Sequence, residues 1–195
     1  MFILYALPVG FVLGLLLGGR ASGLASIHFR WAILAVLGFA VQVVLFSERV
    51  SAAVGDAGPP IYVLSTGLVL VAVLRNLAIR GMAVVALGAT SNLVAIVANG
   101  GYMPADPAAA AEFGRGAQAA YSNSRIIEAP ALAPLTDVIA LPRWLPFTNI
   151  VSVGDVLIAV GIAIVIAAAM RAGRVARDGE SQAPPTTVPS GNSPI

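Results

Sequence analysis

Ile150–Met170 reads IVSVGDVLIAVGIAIVIAAAM, and Arg171, Arg174 and Arg177 follow it at once. A helix needs about 20 mainly apolar residues to cross a bilayer. This run has that length, with a single charged side chain, Asp155, near its start. Comparable apolar runs lie at about 2–18, 30–47, 59–74 and 79–98. The whole chain of 195 residues is 58% hydrophobic and only 10% charged, with a mean hydropathy of +0.92. Soluble domains carry about 25% charged residues. So few charges leave most of the surface for lipid to cover. The sequence therefore predicts an all-α membrane protein: a bundle of five transmembrane helices with a short-helix extracytoplasmic cap.

The ends of the runs carry the topology. No positive charge precedes the first run, and Arg20 follows it. A cleavable signal peptide has the opposite order. The third run is the shortest and opens at Pro59-Pro60. Proline is tolerated in a first helical turn, where the N–H groups are unpaired anyway, and Arg75 can snorkel to lengthen the span. Arg75 to Arg80 forms a tight hairpin between the third and fourth runs. Arg20, Arg30, Arg75, Arg80, Arg171, Arg174 and Arg177 all fall in short segments on one side. Arg49, Arg115, Arg125 and Arg143 spread over longer loops on the other, together with Glu48, Asp56, Asp106, Glu112, Glu128 and Asp137. Arginine-rich short loops are held in the cytoplasm. The expectation is a cell-membrane protein with its N-terminus outside and its C-terminus inside.

Residues 99–149 then form an outer cap. Asp106-Pro107 reads as N-cap and first residue of a helix over Ala108–Phe113, loosened by Gly114 and Gly116. A second short helix is expected over Ala133–Ala140, between Pro134 and Pro142. Trp144 and Phe147 suit a membrane boundary. Residues 173–195 read as a disordered cytoplasmic tail, rich in proline and polar residues towards its end.

Composition removes several chemistries. All 11 basic residues are arginine, so lysine Schiff bases are absent. There is no cysteine, and the only histidine, His28, falls on the cytoplasmic side. No metal site and no cofactor are expected. A net charge of +2 without a dense basic patch argues against nucleic acid. The lipid bilayer is the expected partner, with a homo-oligomer or a membrane subunit as further options.

Small residues mark the packing faces. Gly10, Gly14 and Gly18 form a G-x-x-x-G-x-x-x-G ladder that permits close helix approach. Gly81, Gly88 and Ala95 recur every seven residues, as do Asn92 and Asn99. Ala35, Gly38 and Gln42 share a face of the second helix. Asp155 shares a stripe with Ala159, Ala163 and Ala167. A carboxylate within a span costs a few kcal/mol unless something offsets it. Gln42, Asn92, Asn99 and Asp155 thus form one polar constellation in the outer half, below cap residues Arg125, Glu128 and Asp137. Gly100 and Gly101 close the fourth helix, and Gly154 precedes the acid. Interhelical hydrogen bonding and helix capping explain these residues as readily as a ligand site does.

Three stretches resemble a known family. They are Gly18-Gly19-Arg20 with Gln42 beyond it; Asn92 through Asn99-Gly100-Gly101-Tyr102-Met103-Pro104; and Leu135-Thr136-Asp137 through Pro142, with Ser152-Val153-Gly154-Asp155. Over roughly residues 1–170 the chain is similar to bacterial multi-pass membrane proteins grouped as domain of unknown function five-three-one-seven. The resemblance implies a helical membrane fold and no activity, substrate or cofactor. Function is therefore open between an outward-facing polar site for a small molecule, ion, lipid headgroup or partner, a structural or assembly subunit, and an enzyme using Asp137 and Asp155.

Overall fold

The computed structural model describes residues 2–112, 122–146 and 149–181. A 3-10 turn over Phe2–Tyr5 leads into α1 (Ala6–Leu16), and a second over Ala21–Ser26 precedes α2 (Ala32–Leu45). The short α3 (Glu48–Ala53) and a turn over Gly55–Ala57 deliver the chain to α4 (Gly58–Leu74) and α5 (Met82–Ala98). Next come β1 (Met103–Ala105), α6 (Pro107–Glu112), β2 (Ser124–Ile126), β3 (Ile139–Ala140) and β4 (Ile150–Val151). The last helix, α7, runs Val153–Ser181.

All five apolar runs are helical over most of their length. Two helices, Gly55–Leu74 and Val153–Gly173, are long and apolar enough to cross a membrane. The third run, the shortest in sequence, is one of these two, because the Gly55–Ala57 turn continues directly into the Pro59-Pro60 start of α4. Ile3–Leu16, Ala32–Leu45 and Met82–Ala98 are apolar but shorter. At 1.5 Å per residue, 17 residues rise about 25 Å, somewhat less than the hydrocarbon core.

The fifth run departs from expectation at both ends. Ile150 and Val151 are extended and pair antiparallel with Ala140 and Ile139. Helix α7 starts only after Ser152 and continues past residue 173 to Ser181. The alanines and arginines there favour helix, and the first proline after α7 is Pro184.

The cap is not built from short helices alone. Asp106 does cap α6, its carboxylate accepting the Ala109 N–H at 2.8 Å. The helix expected over Ala133–Ala140 is only a 3-10 turn over Ala133–Leu135. Thr136 then turns extended and bonds its hydroxyl back to the Ala133 carbonyl at 2.8 Å. Asp137 bridges Ala105, and the β-branched pair Val138-Ile139 continues into β3. β1 pairs in parallel with β2, so the cap is a small mixed lattice. Gly114, Gly116, Arg115, Phe147 and the end of the tail lie outside the described residues.

Helix contacts run in the spatial order α1, α7, α5, α4, α2. The two helices adjacent in sequence, α1 and α2, lie at opposite edges of this row. The segment between them packs across the end of α7, where Gly23 approaches the Ala169 carbonyl and Gly173. Buried Leu45, Tyr62, Ala95, Ile96 and Met103 form a core under the cap, and Val73, Met82, Val85 and Ala86 form one at the Arg75–Arg80 hairpin end.

Candidate functional site: a polar layer beneath the cap

Ser152 is the residue before α7, and Asp155 lies in the helix's first turn. The Ser152 hydroxyl accepts the Asp155 N–H at 3.0 Å, and the Asp155 carboxylate accepts the Ser152 N–H at 3.2 Å. This is a capping box, with aspartate in the place usually held by glutamate or glutamine. Its carboxylate also sits at the positive end of the helix dipole. Asn92 of α5 completes the ring. Its amide donates to Asp155 at 2.8 Å and accepts the Ser152 hydroxyl at 2.8 Å. Ser152 is fully buried. Gly154 makes the ring possible, because a Cβ there would collide with the Asn92 amide oxygen. Gly88 meets the Gly154 carbonyl in the same way, and Gly81 meets Gly161. Gly81 and Gly88 thus face α7, whereas Ala95, the third member of the heptad stripe, packs with Leu45, Tyr62 and Met103 under the cap.

Gln42 does not reach this ring. Its amide donates to the Thr66 hydroxyl of α4 at 3.2 Å. One turn earlier on α4, the buried Tyr62 phenol lies beside Thr66 and Asn123.

Asn99, Gly100 and Gly101 end α5. Gly100 and Gly101 have φ of +71° and +88°, and the Gly101 N–H returns to the Ile96 carbonyl at 2.9 Å. Gly101 also lies against Pro59, where a Cβ would have no room. The Asn99 side chain bonds Ala131 both ways, donating to its carbonyl and accepting its N–H at 2.9 Å each. It also donates to the Ala95 carbonyl at 2.8 Å. Asn99 is thus a clasp between α5 and the cap. Arg125 stacks over the Tyr102 ring at 3.7 Å.

Gly10 and Gly14 pack on α7, against the Ala163 backbone and the Met170 side chain. Gly18 is different: with φ of +74° it turns the chain after α1. Gly19 and Gly23 take over the close approach, against Met170 and Ala169. The ladder therefore ends one step earlier than its spacing predicts, because a turn intervenes. His28 is exposed, its Nδ1 2.9 Å from the Ser26 carbonyl.

Sequence reasoning missed Ser152, Tyr62 and Thr66 as members of the layer. The S-x-G-D spacing was a usable signal for Ser152; nothing marked Tyr62. Chemically the ring is closed. The Ser152 proton goes to an amide oxygen rather than to the carboxylate, so the pair is not arranged as nucleophile and base. Among the described residues, no group of three or more His, Asp or Glu side chains comes together to hold a metal ion.

Residues 26–167 match the family of unknown function DUF5317. No curated protein and no solved structure matches the chain. The match covers well over half of the sequence, and the chain belongs to that family.

Proposed function

We propose that this DUF5317 member is a five-span integral protein of the cell membrane, N-terminus outside and C-terminus in the cytoplasm, acting as a structural or assembly subunit. The observation that supports the membrane reading is how little of its longest apolar helices is covered. Only 28% of the Gly55–Leu74 window and 33% of the Val153–Gly173 window are buried. A core helix of a soluble protein hides most of its surface. The edge helices expose Leu7, Val12, Ile33, Val36 and Val43 along their length. Flanking turns and snorkelling arginines, with local thinning of the bilayer, accommodate the three shorter helices.

The assembly role follows from where the polar groups point. Asn92, Ser152 and Asp155 satisfy one another, and Asn99 is used on Ala131. These contacts hold helices and cap together and leave the apolar edges α1 and α2 to meet lipid or another subunit. The buried Tyr62 phenol, within electrostatic range of Asp137 and Asp155, favours a second reading, in which a small polar ligand enters beneath the cap.

The absence of native cysteine makes the topology test clean. A thiol introduced as Ser122→Cys is expected to react with a membrane-impermeant maleimide in intact cells, and one introduced as Arg80→Cys only after permeabilisation. The reverse pattern would sink the topology. For the role, mild-detergent purification is expected to bring along a stoichiometric membrane protein or a second copy. A lone chain carrying a polar small molecule that Asp155→Ala releases would instead establish the second reading.

A further inference from the structure

α7 is recessed between its neighbours. On one face of the row, α1, α7 and Arg80 of the hairpin enclose an apolar groove of about 540 Å³. Its floor includes Ala159, Ala163 and Ala167, small enough to leave the depression open. Tyr5 marks one end. At the other, Arg80 and Arg171 line the same groove. Both are exposed, and among the described residues neither guanidinium makes an ion pair or hydrogen bond.

We propose that this groove is a binding site for one anionic phospholipid of the cytoplasmic leaflet, with an acyl chain along α7 and the phosphate between Arg80 and Arg171. The inference rests on the five-span reading, which puts both arginines at the inner surface. Charge complementarity selects the occupant. Two guanidinium groups offer the forked donors that a phosphate oxygen pair accepts. The length agrees: from Val156 to Arg171 α7 rises about 22 Å, longer than the roughly 15 Å apolar half of a bilayer. A helix of a second copy fits worse. A cylinder 10–12 Å wide and that long displaces on the order of 2,000 Å³, several times the groove, and it would bring its own Arg20 and Arg75 to the same end.

The test uses the full chain reconstituted in nanodiscs of mixed phosphatidylglycerol and phosphatidylcholine, followed by native mass spectrometry of retained lipid. Wild type is expected to keep phosphatidylglycerol in about thirtyfold preference, the scale of two arginines at an anionic surface. Arg80→Gln with Arg171→Gln is expected to abolish the preference. Val160→Trp, which fills the groove from an exposed position, is expected to displace the lipid with the arginines intact. Equal retention of both lipids by wild type, or an undiminished preference in the double variant, would overturn this site while leaving the membrane reading standing. Recovery of the chain from the aqueous fraction without detergent would overturn both.

Discussion

Asn76 and Asn99 do the same work at opposite ends of the helix row. At the hairpin end, Asn76 accepts the Arg30 N–H and donates to the Arg30 carbonyl, both at 2.7 Å. At the cap end, Asn99 treats Ala131 in the same way at 2.9 Å. Each also donates to the carbonyl four residues back, Ala72 or Ala95. In each case the residue after the clasped one, Trp31 or Leu132, has a left-handed backbone, with φ of 58° and 55°. These are the only non-glycine residues with positive φ among the described ones. Such a conformation costs on the order of 1–3 kcal/mol and persists only where the surroundings hold it. The two clasps hold it in both places. They differ in burial: Asn76 is 2% exposed, whereas the Asn99–Ala131 bonds face solvent. Arg75 adds a cation–π contact 5.3 Å above the Trp31 ring. The same device therefore serves a buried crossing at the hairpin end and an exposed one at the cap end.

Breaking the Asn76 clasp should cost most. Asn76→Ala removes three hydrogen bonds made by a buried side chain and is expected to lower stability by about 3 kcal/mol, read as a fall in thermal midpoint in detergent. An effect no larger than that of Asn99→Ala would mean that burial does not separate the two. Gly101→Ala tests the cap end sterically. It combines positive φ with collision against Pro59 and should cost about 2 kcal/mol or more, whereas Gly100→Ala, with open space around it, should cost only about 1 kcal/mol for φ alone. Asp155→Ala removes half of the capping box and one Asn92 bond. A loss of about 1–2 kcal/mol is expected, with faster amide exchange in the first turn of α7. Asn99→Ala should cost about 1 kcal/mol and speed exchange at the Ala131 amide while leaving Arg30 unchanged. Smallest of all, Leu132→Gly relieves the left-handed strain and should shift stability by less than about 1 kcal/mol, towards stabilisation. A clear loss would show that the Leu132 side chain, rather than the clasp, holds the turn.

The candidate layer was legible in part. Asn92 and Asp155 stand out because polar side chains in apolar runs demand partners, and they partner each other. Asn99 stands out by its place before two glycines. Gln42 lies on α2, which packs chiefly on α4, so its partner is Thr66 rather than a residue of α7. Asn76 carries no pattern of its own: between Arg75 and Arg80 it looks like any hairpin residue. Its role depends on a residue 46 positions away. The Ala133–Ala140 segment shows the opposite failure, where local composition suggested a helix and a bridge to Ala105 imposed extended structure.

The apolar runs, their arginine-marked ends, the α5 glycine stop and the small-residue faces of α1, α5 and α7 are properties of the chain itself. They depend on hydropathy and on backbone sterics, which act locally. Only the folded molecule decided that α1 lies beside α7 and at the far edge from α2, that Asn92 closes the Ser152–Asp155 cap, and that Gly18 turns while Gly10 and Gly14 pack. Those outcomes come from faces meeting across long separations, and a periodic stripe states that a face exists without stating which other face it will meet.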